Sequence, residues 1–269
     1  SWNSDGFVLG TADGVNKNSG PFVAWNWKAN GAGASNTAGS INTIKTSAST
    51  TSGFSISTFT GTGSNATVGH GLGVAPKMVI IKSTTAGEDW TIFHEAIGAT
   101  KYIVLNSTGA VGGPSAGPFN NTAPTSSVFS VGTWGSTNGS SQTLVAYCFA
   151  EVKGYSKISS YIGNGSATAP TFIYLGFKPS FVLIKNTTQA DAWFLHDNKR
   201  DGFNDDNEYL RPNLADASGS GTNRIRLLSN GFSVPTTDKS HNVSGNVYIY
   251  MAFAENPFVT STGIPATAR

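Results

Sequence analysis

The chain repeats itself, and that repetition limits what it can fold into more than any other feature. Ala75-Pro76-Lys77-Met78-Val79-Ile80-Ile81-Lys82 returns as Lys178-Pro179-Ser180-Phe181-Val182-Leu183-Ile184-Lys185, which sets Pro76 and Pro179 103 positions apart. Trp90 and Trp193 keep this offset, as do Phe129-Ser130-Val131 and Phe232-Ser233-Val234. Val145-Ala146-Tyr147-Cys148-Phe149-Ala150-Glu151 returns as Ile249-Tyr250-Met251-Ala252-Phe253-Ala254-Glu255, at 104. Gly53-Phe54-Ser55 and Phe59-Thr60-Gly61 likewise find counterparts in Gly154-Tyr155-Ser156 and Tyr161-Ile162-Gly163. Matches in the same order at a near-constant spacing are the mark of a tandem duplication.

A partial third copy stands in front. Phe7-Val8-Leu9 and Val23-Ala24-Trp25-Asn26-Trp27-Lys28 reproduce only the closing part of a unit, so the chain reads as cut from a longer array. The expected organisation is therefore the closing strands of a truncated repeat at 1–28 and a Gly/Ala/Ser/Thr-rich linker at 29–52. One repeat then spans 53–152, a second 153–258, and a tail 259–269. A two-strand piece cannot bury its apolar face alone. Residues 5–28 are thus expected as two strands attached to a neighbouring sheet.

Within a unit the apolar period is two, which is the period of a strand. Val145, Tyr147 and Phe149 alternate with Ala146, Cys148 and Ala150, and the small face suggests close approach by another layer. Turn residues recur every few positions and no helical stripe is present. The expected fold class is all-β: two tandem β-sandwich domains of jelly-roll or lectin-like type, preceded by the partial hairpin.

Composition removes several function classes. Only 12% of the residues are charged, and 17 basic against 15 acidic side chains leave +2. No basic stripe offers a footprint for nucleic acid. No apolar run reaches the length of a helical membrane span. The single cysteine, Cys148, rules out an internal disulfide framework.

The candidate chemistry is thin. Gly113-Pro114-Ser115-Ala116-Gly117 has the nucleophile-elbow pattern, but two prolines bracket a loop where a strand and a helix are needed. His94-Glu95-Ala96-Ile97-Gly98 opens like a zinc-protease helix and places Gly98 where the second histidine must stand. His94 and His196 follow the repeated tryptophans at similar distances, which suggests a shared structural hydrogen bond. No catalysis is expected and no cofactor. Ca²⁺ is the one cation for which the sequence offers oxygen ligands, at Asp201, Asp205 and Asp206. Trp90 and Trp193 read as core, whereas Trp134 stands alone in its loop and is the better ligand platform. The ligand-binding candidates are Trp134 and the acidic loop with Asp205, Asp206, Glu208 and Tyr209.

The strings "HGLGVAPKMVIIK", "NNTAPTSSVFSVG", "VAYCFAEVKGYSKISSYIGNG", "FKPSFVLIKNTT", "DDNEYLRPN" and "YIYMAFAENPF" resemble repeated modules of virion proteins of tailed bacteriophages, notably those of marine bacteria. "SDGFVLG" with "VNKNSGPFVAWNWKANGAGASNTAGSI" looks like the junction between two such modules. The resemblance covers residues 1–258 and supplies no catalytic or binding residue set. It implies a virion location and a structural or adhesion role, tail-fibre or spike-like, presenting a receptor- or glycan-contacting surface. The implied partners are other virion subunits, a homo-oligomer with a trimer favoured, and a host cell-surface glycan, with neither nucleic acid nor membrane among them. Two alternatives stay open: an architectural capsid-decoration or fibre-shaft module, and a polysaccharide depolymerase.

Overall fold

A computed structural model of the chain describes residues 6–200, 204, 208–220 and 223–255. It is built almost entirely of antiparallel strands. Those of the first repeat are β1 (Lys45–Ser49), β2 (Phe54–Thr60), β3 (Ala66–Gly69), β4 (Met78–Ser83), β5 (Thr91–His94), β6 (Ile103–Val104), β7 (Val128–Val131) and β8 (Thr143–Phe149). The second repeat contributes β9 (Ser156–Ile162), β10 (Thr171–Tyr174), β11 (Pro179–Asn186) and β12 (Trp193–Asp197). It continues with β13 (Tyr209–Leu210), β14 (Arg226–Leu228), β15 (Gly231–Val234) and β16 (Val247–Ala254). Among the described residues helix is confined to α1 (Asp13–Asn16), α2 (Gly135–Asn138) and a 3₁₀ turn at Glu95–Ile97.

The duplication is visible in the strand order. One large sheet runs β1-β2-β8-β4-β5-β6 and the other β13-β12-β11-β16-β9, so β2-β8-β4-β5-β6 has its counterpart in β9-β16-β11-β12-β13. The small sheets correspond too, β3-β7 in the first repeat and β10-β15-β14 in the second. Pairing fixes which residues are equivalent. Phe54 and Ser156 face Phe149 and Phe253, so β2 and β9 are offset by 102. Met78 and Phe181 face the same two phenylalanines, which gives 103 for β4 and β11.

The period-two pattern sorts every central strand between two cores. In β8, Leu144, Ala146 and Cys148 join a cluster with Phe59, Val68, Phe129 and Val131, beneath the small sheet of the first repeat. In β16, Tyr248, Tyr250 and Ala252 join Tyr161, Ile173, Phe232 and Val234 in the same way. The opposite faces meet each other. Met78, Ile80, Ile92 and Phe149 form one buried cluster with Phe181, Leu183, Trp193, Leu195, Met251 and Phe253, drawn from both repeats. Small side chains on the face of β8 toward β3 and β7 allow the close approach that the sequence suggested, and the bulky face is covered by the other repeat.

The front segment closes this shared core. Val23, Trp25, Trp27 and Ala29 alternate inward with exposed neighbours. The Trp27 ring meets Phe149, Phe181 and Phe253 edge-on at 6.0, 5.4 and 5.3 Å between centroids, and Trp25 meets Phe181 at 5.7 Å. Such edge-to-face contacts add to the burial of large aromatic surfaces. The two expected strands in residues 5–28 are not formed. Among the described residues the segment holds an isolated bridge at Phe7, the short α1 and otherwise extended chain.

Residues 30–49 run along the edge of the first repeat as a strap. β1 pairs with β2 from Lys45↔Thr58 to Ser49↔Phe54. Ile41 bridges to Val68 of β3 and is buried, as is Thr43. The Ile41 amide donates to the Thr67 carbonyl at 3.0 Å, the Ser40 amide donates to the Thr67 hydroxyl and the Thr67 amide to the Ser40 hydroxyl, both at 2.9 Å. The open edge of both layers is thereby covered on this side.

An asparagine clamps each repeat, at the turn after β2 in the first and after β9 in the second. Asn138 Oδ1 accepts from the Thr62 amide at 2.8 Å, while Nδ2 donates to the Ser64 and Gly132 carbonyls at 2.6 and 2.9 Å. Asn242 repeats this with the Asn164 amide and the Ser166, Val234 and Thr236 carbonyls. Both side chains are fully buried. Replacing Asn242 by Ala strands several buried backbone groups, each worth about 1–3 kcal/mol when left unsatisfied. Urea unfolding of Asn242→Ala should show a loss of about 2–4 kcal/mol, and Asn138→Ala a similar loss.

Trp27→Ala is expected to cost about 2–4 kcal/mol, somewhat below the roughly 3–5 kcal/mol for a fully buried Phe or Trp because the ring is half-buried. Because the ring touches both repeats, the loss should be the same whether unfolding is followed in the first repeat or the second. A loss confined to one of them would contradict the shared core.

Candidate functional site

The residues that the sequence singles out lie at corresponding places in the two repeats rather than in one site. Strand pairing makes Tyr102 and Tyr209 equivalent, since Ile103 faces Ile92 and Leu210 faces Leu195. Each tyrosine forms an isolated bridge to a glycine, Gly112 and Gly219 respectively. A Cβ at either glycine would collide with the tyrosine ring, so these glycines let the loop close over it.

Around Tyr102 the partner is Trp134. Its ring lies 4.7 Å from the tyrosine at 73°, and its Nε1 edge fills the space where Gly117 has no side chain. Trp134 precedes α2 and is half-buried. Its indole packs against its own repeat on one face. The loop 113–117 beside it contains Ser115, whose Oγ accepts from the Gly117 amide at 3.2 Å. No strand leads into that serine and no helix leaves it.

Around Tyr209 the partners are ionic. Arg224 lies over both the Phe194 and Tyr209 rings, 5.3 and 5.0 Å from their centroids, and pairs with Asp238 at 2.6 Å. Glu208 is engaged by Arg200 at 3.5 Å and by the Ser218 hydroxyl at 3.0 Å. Arg200 in turn binds the buried Asp197 at 2.7 Å. A cleft of about 260 Å³ is lined by Asp191, Phe194, Arg211, Arg224, Asp238 and Ser240. Asp201, Asp205 and Asp206, the expected calcium ligands, lie outside the described residues, as does the tail 259–269. Among the described residues no group of three or more His, Cys, Asp or Glu side chains is placed to hold a metal ion.

Beneath this cleft is a pair that the sequence reading missed. His196 Nε2 and His241 Nε2 stand 2.9 Å apart, both rings fully buried. His241 Nδ1 is 2.6 Å from the Ser240 hydroxyl, which accepts from Arg224 at 2.9 Å. Only one hydrogen fits between two facing ring nitrogens, so one ring donates and the other must be neutral. Burial lowers both, with Arg224 adding to the effect: His196 falls to about 3 and His241 well below its ordinary value. In the first repeat the equivalent positions are Phe93 and Thr137, so the polar pair belongs to the second repeat alone.

The shared histidine hydrogen bond is not found. His94 pairs with Met78 and so matches Asp197, not His196. His94 Nδ1 accepts the Ala96 amide at 3.2 Å, and its Nε2 sits 3.5 Å from the Tyr250 carbonyl across the repeat interface. It opens a 3₁₀ turn whose Glu95 pairs with Lys77. Trp193 is buried and donates from Nε1 to the Val104 carbonyl at 3.0 Å, while Trp90 stacks on Tyr147. Both tryptophans thus serve the shared core. Cys148 is buried, and burial pushes its thiol up to about 12, which leaves it unreactive.

These assignments fix a pH response. All four histidines are held below 6.5, chiefly by burial, His94 at about 4. A histidine with a lowered folded value binds its proton more readily in the unfolded chain. Stability is therefore greatest above about pH 6.5 and falls as pH drops below it, by up to about 1.4 kcal/mol per pH unit for each such group. Urea midpoints between pH 7.5 and 5 should fall accordingly. Installing the first repeat's residues, His196→Phe with His241→Thr, should roughly halve that slope; an unchanged slope would contradict the assignment.

A search of the curated proteins and of the solved structures found no match. One family model covers residues 1–257, which is both repeats together with the front segment and the strap. By that coverage the chain belongs to the family described as a domain of unknown function (DUF7483).

Proposed function

We propose that the chain is a structural and adhesion module of a tailed-phage virion, tail-fibre or spike-like, which contacts a receptor without catalysis. The observation that carries this reading is the core shared by the two repeats. Sheets that use one face on a small sheet and the other on the neighbouring repeat suit a stiff, repeated scaffold, on which loops and edges remain for contact. The resemblance of the quoted strings to phage virion modules supplies the setting. In this reading residues 53–152 and 153–258 are two β-sandwich units of jelly-roll or lectin-like type. The packing of β3 and β7 over the small-residue face of β8 supports that. The module acts as a homo-oligomer, with a trimer favoured, alongside other virion subunits.

The test is binding of the labelled full chain to host bacteria and to the purified remaining virion subunits, with reducing-sugar release followed on host polysaccharide. Adhesion predicts saturable cell binding, competed by soluble host polysaccharide, with no rise in reducing ends. Release of reducing ends would replace the reading with a depolymerase. Binding only to virion subunits would replace it with a purely architectural module.

A further inference from the structure

The two repeats share strand order but differ along one edge. Partners Ser130 and Ser233 make Thr67 equivalent to Phe172, and Val128 and Gly231 make Gly69 equivalent to Tyr174. In the first repeat this edge is small and covered. The strap bonds to Thr67, and a Cβ on Gly69 would collide with Asn36 Oδ1. In the second repeat only a short turn joins β8 to β9, so no strap precedes the equivalent edge. A tyrosine at Gly69's place also leaves no room for one.

What stands there instead is aromatic and open. Phe172 is 49% exposed, Tyr174 61% and Ile162 63%. Among the described residues these are the only large apolar side chains that any strand leaves exposed. Phe172 and Tyr174 share the outer face of β10, opposite the buried Ile173, and the Lys157 ammonium of β9 sits 5.9 Å from the centre of the Tyr174 ring, whereas Ile162 ends β9 on the face of Ile158. Exposed apolar side chains gathered at one place mark a contact surface.

We infer that this edge of the second repeat is a saccharide-binding platform on which Phe172 and Tyr174 stack against pyranose rings, with Lys157 and the Tyr174 phenol reaching ring hydroxyls. The inference deepens the adhesion reading and rests on it. Three features select this occupant. Fully buried, Phe and Tyr cover about 150–250 Å² each, so a half-exposed pair offers roughly 200 Å². That area matches one or two sugar rings and falls far short of the roughly 800 Å² per partner of a stable protein interface. The β9 edge is also partly blocked to an added strand, because the Ile158 amide already donates to the Glu151 carboxylate at 2.8 Å. Finally, the surface is open rather than concave. An apolar small molecule needs enclosure, whereas a sugar stacks its C–H face on an aromatic ring and keeps its hydroxyls in water.

The experiment uses the full chain on an array of neutral and N-acetylated oligosaccharides, followed by calorimetry with the best-bound oligosaccharide. Phe172→Ala with Tyr174→Ala should weaken that binding tenfold or more while leaving the urea midpoint unchanged, since both side chains are exposed. Thr67→Ala serves as the control at the equivalent covered position and should bind as the parent does. Full-strength oligosaccharide binding by the double variant would overturn the platform. So would absence of oligosaccharide binding by the parent chain while it still binds host cells, and in both cases the adhesion reading would stand. A parent that sediments as a trimer or dimer and a double variant that sediments as a monomer would overturn it in favour of self-association.

Discussion

The meeting of Trp27 with Phe149, Phe181 and Phe253 is the contact on which the rest of the structure depends. Phe149 and Phe253 are the same residue in successive repeats, and they touch at 6.2 Å across the interface. The central strands of each large sheet are therefore covered on both faces. One side rests on its own small sheet and the other on its sister. Apolar area buried at about 25 cal/mol per Å² makes this common face the largest coupling between repeats. The hydrogen bonds around it follow from that packing. Lys185, fully buried, donates to the carbonyls of its own Asp191 and of Thr108 in the other repeat. The Val111 amide reaches the Thr187 carbonyl in the same seam.

Much of this was legible because a strand writes its two faces into alternating positions. The offset between Pro76 and Pro179 predicted equal strand order, and Val145-Tyr147-Phe149 against Ala146-Cys148-Ala150 predicted two unlike faces. Alternation says that two faces differ but not what covers each. The pairing of one repeat's bulky face with the other's was therefore not readable. Nor was the strap. Its hold on β2 and β3 is mostly main-chain bonding and small hydroxyls, with Ile41 buried and Ala48 packed beside the same core in a stretch whose composition reads as a linker.

What the sequence did not show has equally local causes. His94 stands four residues after Trp90 and His196 three after Trp193, and a one-residue difference in a strand turns a side chain to the opposite face. His94 thus faces the shared core, while His196 faces the small sheet and meets His241. Residues 23–29 kept the alternation of a strand without becoming one, because burial needs only an apolar surface whereas a strand needs a neighbour's backbone. Trp134, alone in its loop by sequence, lies on Tyr102 because Gly117 leaves space for its edge. Substitutions between repeats were the most informative signal, since the fold holds everything else constant: Phe93 and Thr137 against His196 and His241, Thr67 and Gly69 against Phe172 and Tyr174.

Native-state hydrogen exchange tests the shared core most directly. Amides of β8 and β16 lie in different repeats but at equivalent central positions, and exchange from such strands reports the free energy of the opening that exposes them. If one core joins the repeats, the slowest amides of β8 and β16 should exchange through a single opening. They should then share one free energy and one dependence on denaturant. Slow amides of β16 that exchange through an opening which leaves β8 protected would contradict the account.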